Sequence, residues 1–239
     1  GASSLRWVRP LHGILCLFDG DVVNFEIDGL PSGKVTSGHR FMGDGQILVT
    51  GFSDYQTQLR DGFVMLDRDE RRDMVATEAA ALAAAESLEI VPDDQLISEI
   101  AGLVEWPAVL MGSIDHEFMS VPPEVLRSSM RGHQKYLSLR DPVSKALAPR
   151  FIVVANLVAE DGGKQIVAGN ERVLRARLSD AKFFWDLDRE AALESRIDKL
   201  SGVVFHQKLG SVGEKVARLE SLSKLLGAYL PGAGPGMAV

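Results

Sequence analysis

The chain has 239 residues, 46% hydrophobic and 25% charged, with a formal net charge of −7 at pH 7. This is enough chain to bury the core of one large domain or two modest ones without staples, and the single Cys16 cannot form an internal bridge. The acidic balance excludes a protein that coats nucleic acid indiscriminately, so any RNA contact must be a local patch. Cys16 sits in the apolar run 14–18 and reads as a buried thiol, neither nucleophile nor ligand. No apolar run approaches the roughly 20 residues of a membrane span, and the start lacks the basic-then-apolar layout of a signal peptide, so the chain reads as soluble and cytoplasmic. It begins at Gly1 and ends in LPGAGPGMAV, which points to a piece of something longer.

Residues 11–18, 22–27 and 47–51 are short strand-like runs separated by the turn chemistry DGD, DGLPSGK and GDG, an antiparallel opening. Between them, GHRFMG at 38–43 brackets His39, Arg40 and Phe41 with two glycines. Such a group can offer a cation to a phosphate and a ring to a base, or it is a glycine-permitted turn with Phe41 tucked into the core.

From Asp54 the pattern becomes helical. Asp67 with Glu70 forms a start signal, and the alanine-rich run to Ser87 has high helix propensity but few large core residues, which places it on the surface. A second helix follows Pro92, capped by Asp93 or Asp94, with Leu96, Ile97, Ile100, Leu103 and Val104 inward, and ends at Trp106 and Pro107. Glu105 beside them either pairs with an arginine or caps a strand. Short strands are expected around Val109, Phe118 and Tyr136, with a brief helix opened by Pro122 and Pro123 carrying Leu126 and Met130 inward. In RGHQKYL at 131–137, Arg131, His133 and Lys135 share one side if the segment is extended, as a phosphate track or as an edge-strand charge row.

After the turn at Asp141 and Pro142, FIVVANLV at 151–158 is apolar on both faces and reads as a central strand. Residues 169–190, GNERVLRARLSDAKFFWDLDRE, then carry the strongest helical period. Leu174, Leu178, Ala181 and Trp185 fall at i, i+4, i+7 and i+11, one buried face. Arg172, Arg175 and Lys182 project together on a flank away from it, while Arg177 lies closer to it and is expected to engage carboxylates. The row is either a solvated helix face or an anion-binding one. A further amphipathic segment aligns Leu193, Ile197 and Leu200, and a last helix carries Val216, Leu219, Leu222, Leu225 and Leu226.

GSVGEK at 210–215 is not a phosphate loop: two residues separate its glycines, and Val216 follows Lys215 where Ser or Thr is required. The five histidines, His12, His39, His116, His133 and His206, fit neither a zinc spacing nor a triad, and no metal is expected. The mixture of strands and helices without regular βαβ alternation indicates an α+β fold with mainly antiparallel sheets and packed helices.

Five motifs carry a resemblance. The helical segment matches IxxGNExVxRxRLxDAxFF at Ile166, Gly169, Asn170, Glu171, Val173, Arg175, Arg177, Leu178, Asp180, Ala181, Phe183 and Phe184; WVRPLH at 7–12, GHRFMG at 38–43, LVEWPAVL at 103–110 and the QKY of 134–136 follow in family order. Together they resemble the beta subunit of the two-subunit bacterial glycyl-tRNA synthetase. His133 stands where that family commonly has an acid, so no catalytic role carries over there.

The resemblance implies an α+β core over 1–202, with a possible sub-boundary near 54–107, similar to the tRNA-handling B3/B4 region of the phenylalanyl enzyme. It implies at 203–239 the start of a helical domain similar to HD phosphohydrolases, without the His-Asp dipeptide of a metal site. The function implied is non-catalytic support of glycine-tRNA ligase, in tRNA recognition and assembly with the alpha subunit, which uses ATP and magnesium. The chain itself is expected to bind no cofactor, and neither DNA nor membrane. The expected tRNA-binding residues are His39, Arg40, Arg131, Lys135, Tyr136, Arg172, Arg175 and Lys182; Glu105, Arg177 and Asp180 are expected to pair structurally. Two alternatives stay open: a scaffold for the alpha subunit that touches no RNA, and a hydrolytic editing module. Glycine's small size lets a pocket exclude competitors sterically, which leaves editing little to do.

Overall fold

A computed structural model describes residues 11–227 and 229; residues 7–10 of the WVRPLH motif and the tail at 230–239 lie outside them. The chain divides into two compact units, Gly1–Ala181 and Lys182–Val239. Secondary structure is mixed, with several small sheets that are mainly antiparallel, as the sequence pattern predicts.

In the first unit the opening strands are short ladders. Leu17–Phe18 pairs with Asp21–Val22 across Asp19-Gly20, and Glu26–Ile27 pairs with Leu30–Gly33 across Asp28-Gly29. All four turn residues have positive φ, the two-residue turn that Asp-Gly favours because its twist matches the strands. The expected strand 11–18 is interrupted at Cys16, whose N–H donates to the Gly33 carbonyl while its own carbonyl accepts from Val23. It thereby serves two ladders, one of them the parallel pairing of Ile14–Leu15 with Leu30–Gly33. The thiol is partly exposed, not buried.

The core is a four-stranded antiparallel sheet in the order Glu89–Ile90, Leu137–Arg140, Leu147–Ala155, Ala108–Ser113. The Leu147–Ala155 strand is interior, as the apolar run at 151–158 predicts, but it begins four residues earlier and ends at Ala155. Helix α1 (Phe52–Asp61) precedes α2 (Arg68–Ala85) and α3 (Asp94–Ala101). Val75, Ala79 and Ala83 of α2 join Leu96, Ile97 and Ile100 of α3 and Leu137, Leu139 and Ile152 of the sheet in one buried cluster. The surface position expected for the alanine-rich helix is therefore wrong: its alanines recur at i+4, and their small size lets the helix lie close. Helix α3 is capped by Asp93, whose carboxylate accepts from the Leu96 N–H at 2.9 Å. It stops at Gly102, one turn earlier than expected, leaving Leu103 at 63% exposure.

Two further expectations fail locally. Phe118 lies in a 3-10 turn, His116–Ser120, instead of a strand. After α4 (Pro123–Ser129), residues Met130–Gln134 continue as a π-helical turn and Lys135 is left-handed, with φ 59°. Arg131, His133 and Lys135 thus never alternate along a strand.

The long helix α5 (Lys164–Arg189) begins in the first unit, where Asp161 accepts from the N–H groups of Gly163 and Gln165, and these bonds hold its carboxyl below the usual range. Leu174 and Leu178 are fully buried, as the stripe predicts, whereas Ala181 and Trp185 further along it are only half-buried. In the second unit, a 3-10 stretch, Leu193–Gly202, leads to the hairpin Val204–His206 with Gly210–Ser211 and to α6 (Val212–Gly227). GSVGEK here is a capping box: Ser211 Oγ accepts from the Glu214 N–H while Glu214 accepts from the Ser211 N–H.

Candidate functional site

The 38–43 turn is built around His39, which is 3% exposed. Its Nδ1 accepts from the N–H groups of Phe41 and Met42, both at 3.2 Å, so Nε2 carries the proton and donates to the Asn156 carbonyl at 2.6 Å. The His39 N–H donates to the Gly62 carbonyl at 2.7 Å. Both bracketing glycines are sterically required: a Cβ on Gly38 would lie 2.7 Å from the Gly62 oxygen, and one on Gly43 would lie 2.8 Å from the His39 oxygen. With His39 pointing inward, Phe41 points out at 75% exposure, and the Arg40 guanidinium sits 5.4 Å from its ring. The alternative with Phe41 in the core is excluded.

Asn156 is the residue that sequence reasoning missed. Its Oδ1 accepts from the N–H groups of Glu105, at 2.6 Å, and Trp106, at 2.9 Å. Trp106 in turn packs edge-on against Phe63 with ring centroids 5.4 Å apart. The motifs GHRFMG, VEWP and FIVVAN therefore meet at one residue, the first at its backbone carbonyl and the second at its side-chain amide oxygen. The available signal was a polar residue closing an apolar strand.

Tyr136 is 1% exposed, stacks on Phe151 at 4.5 Å and donates to Asn170 Oδ1 at 2.6 Å, while the Asn170 amide donates to the Ile166 carbonyl. Burial pushes its hydroxyl up to about 12. Neither His39 nor Tyr136 presents a free face to RNA, because the fold uses their polar atoms internally.

The cations expected to bind tRNA are mostly matched within the chain. Arg131 pairs with Asp93 at 2.6 Å, Lys135 with Glu99 at 2.8 Å, Arg175 with Asp115 at 2.5 Å and Lys182 with Asp186 at 2.6 Å. Arg131 and Arg175 hold their partner carboxyls below the usual range. Arg172 and Arg177 are exposed and make no ion pair among the described residues. The expected pairing of Glu105, Arg177 and Asp180 is not formed there: Glu105 engages through its backbone, and its carboxylate faces solvent with Asp180 exposed elsewhere. Among the described residues no three His, Cys, Asp or Glu side chains gather as a metal site would need, and no helix is long and apolar enough to cross a membrane.

The model of the glycyl-tRNA synthetase beta subunit family matches residues 1–234. The chain is 52% identical over 231 residues, 96% of its length, to the glycine-tRNA ligase beta subunit of Phenylobacterium zucineum, covering 34% of that protein. It is 48% identical over its full length to the glycine-tRNA ligase beta subunit of Cereibacter sphaeroides, covering 35% of it, and 49% identical over 93% of its length to that of Rhodospirillum centenum, covering 34%. The chain thus spans about a third of the length of these relatives. With 52% identity over 96% of its length and a family model that matches residues 1–234, the chain belongs to the glycyl-tRNA synthetase beta subunit family.

Proposed function

We propose that the chain is a non-catalytic part of a glycine-tRNA ligase, the ATP-dependent enzyme that attaches glycine to its tRNA in protein synthesis. It supports tRNA recognition and assembly with the catalytic alpha subunit in a cytoplasmic heterotetramer, and ATP and magnesium act through that alpha subunit. The family match over residues 1–234 carries this reading. For tRNA contact, the free guanidiniums of Arg172 and Arg177 on α5 are the strongest support. They lie about 140° apart around the helix and would meet separate phosphates. Arg40 is a third exposed cation.

A second reading is a scaffold for the alpha subunit with no RNA contact. It is favoured by the four in-chain ion pairs of Arg131, Lys135, Arg175 and Lys182, which break up any continuous cationic track. Fluorescence anisotropy of glycine tRNA at several salt concentrations separates the two. A platform binds with a steep salt dependence, and Arg172→Glu with Arg177→Glu lowers the slope by about 0.7 to 0.9 for each lost phosphate contact. Equal binding by the variant and the wild type leaves the scaffold.

A further inference from the structure

The 38–43 turn does more than close a loop. Together with residues 157–166 it forms an open groove of about 570 Å³, floored by Met42, Leu157 and Ile166 and walled by Phe41 and Val158. Phe41 is 75% exposed and Val158 59% exposed. Both walls are held in place. His39 fixes the turn with its ring hydrogen bonds, Gly38 and Gly43 permit the close approach, and the Val158 N–H points at Met42 Sδ, 3.4 Å away. A large aromatic projected into solvent from a pre-ordered turn loses little conformational freedom on binding and has the composition of an interface anchor.

Charge selects the occupant. The groove's lining includes no Lys or Arg and two carboxylates, of which Asp161 is already engaged by the N–H groups of Gly163 and Gln165 and Glu160 is left to meet a ligand. Arg40 lies against the Phe41 ring. A polyanion entering the groove would meet the Glu160 carboxylate, whereas an apolar side chain followed by a Lys or Arg would satisfy both its floor and its rim. We infer that this groove is the docking site for such a segment of the companion alpha subunit. The inference rests on the proposed role as one subunit of glycine-tRNA ligase.

The test is biolayer interferometry between the immobilised chain and purified alpha subunit, with anisotropy on glycine tRNA run in parallel. Phe41→Ser and Val158→Ser should each weaken subunit binding at least about tenfold, as anchor truncations do. Glu160→Lys should weaken it about threefold to tenfold and flatten its salt dependence. All three positions are exposed, so the melting temperature should hold, and Arg172→Glu should leave subunit binding unchanged. Wild-type affinity in the three groove variants overturns the groove assignment while leaving the subunit role intact. Loss of tRNA binding with subunit binding preserved also overturns it and gives the groove to RNA. If the wild-type chain binds no alpha subunit, the subunit role and the groove fall together.

Discussion

The Nε2–H of His39 donates to the backbone carbonyl of Asn156 across 117 residues of sequence, at 2.6 Å. The Asn156 amide oxygen meanwhile holds the backbone of Glu105 and Trp106. One residue therefore sets the position of the exposed Arg40–Phe41 pair relative to the end of the central strand. Asn156→Ala leaves two backbone donors unmatched and should destabilise the chain by about 2–4 kcal/mol, seen as a lower urea midpoint. Asn156→Asp keeps the acceptor and should cost less than half as much. Equal losses in the two variants would mean that the amide oxygen is not the linchpin.

Tyr136 predicts an alkaline limb. Its hydroxyl is raised from 10.0 to about 12 in the fold, so between those values the native state holds a proton that the unfolded chain has lost. Its contribution is fully present below pH 10 and falls as pH rises through about 12, by at most about 2 kcal/mol. Tyr136→Phe should flatten that limb in denaturation curves measured from pH 9 to 12. It should also cost about 1 kcal/mol at pH 7, because Asn170 loses its donor.

Asp93 predicts the acid limb. Its carboxyl is held below the usual range first by Arg131, and it also caps α3. A depressed carboxylate stabilises the fold above its unfolded value and loses that contribution as pH falls through the lower folded value. Asp93→Ala should therefore lower stability by about 1–2 kcal/mol at pH 7 and reduce the further loss between pH 5 and 3. Parallel wild-type and variant curves across that window would contradict it.

Gly112 predicts a steric limit. It sits directly opposite Phe151 in the sheet, and a Cβ there would lie 2.4 Å from the ring's Cζ. Because Phe151 is fully buried and stacked on Tyr136, the ring has nowhere to go. Gly112→Ala should cost about 1–3 kcal/mol in thermal or urea unfolding, and Gly132→Ala, with open space around it, should cost far less.

Local chemistry made much of the fold legible. Asp-Gly pairs produced their hairpins, Asp93 produced its cap, and the 151–158 run produced an interior strand, because each rests on a preference expressed within a few residues. The alanine-rich helix was misplaced because propensity says nothing about which face finds a partner. Residues 131–135 were misread because a charge alternation fits a strand and a tight helical turn equally well until the chain's neighbours are known.

By itself the sequence determined the mixed, mainly antiparallel architecture and the motifs that mark the family. Only the tertiary structure decided what the candidate residues do. It turned His39 and Tyr136 inward, matched Arg131, Lys135, Arg175 and Lys182 with acids, and left Arg40, Phe41, Arg172 and Arg177 outside. The physical reason is distance along the chain. A helix period or a turn is encoded within a few residues, whereas the partner of a charge, or of a ring nitrogen, arrives from dozens of residues away and is fixed only when the core closes.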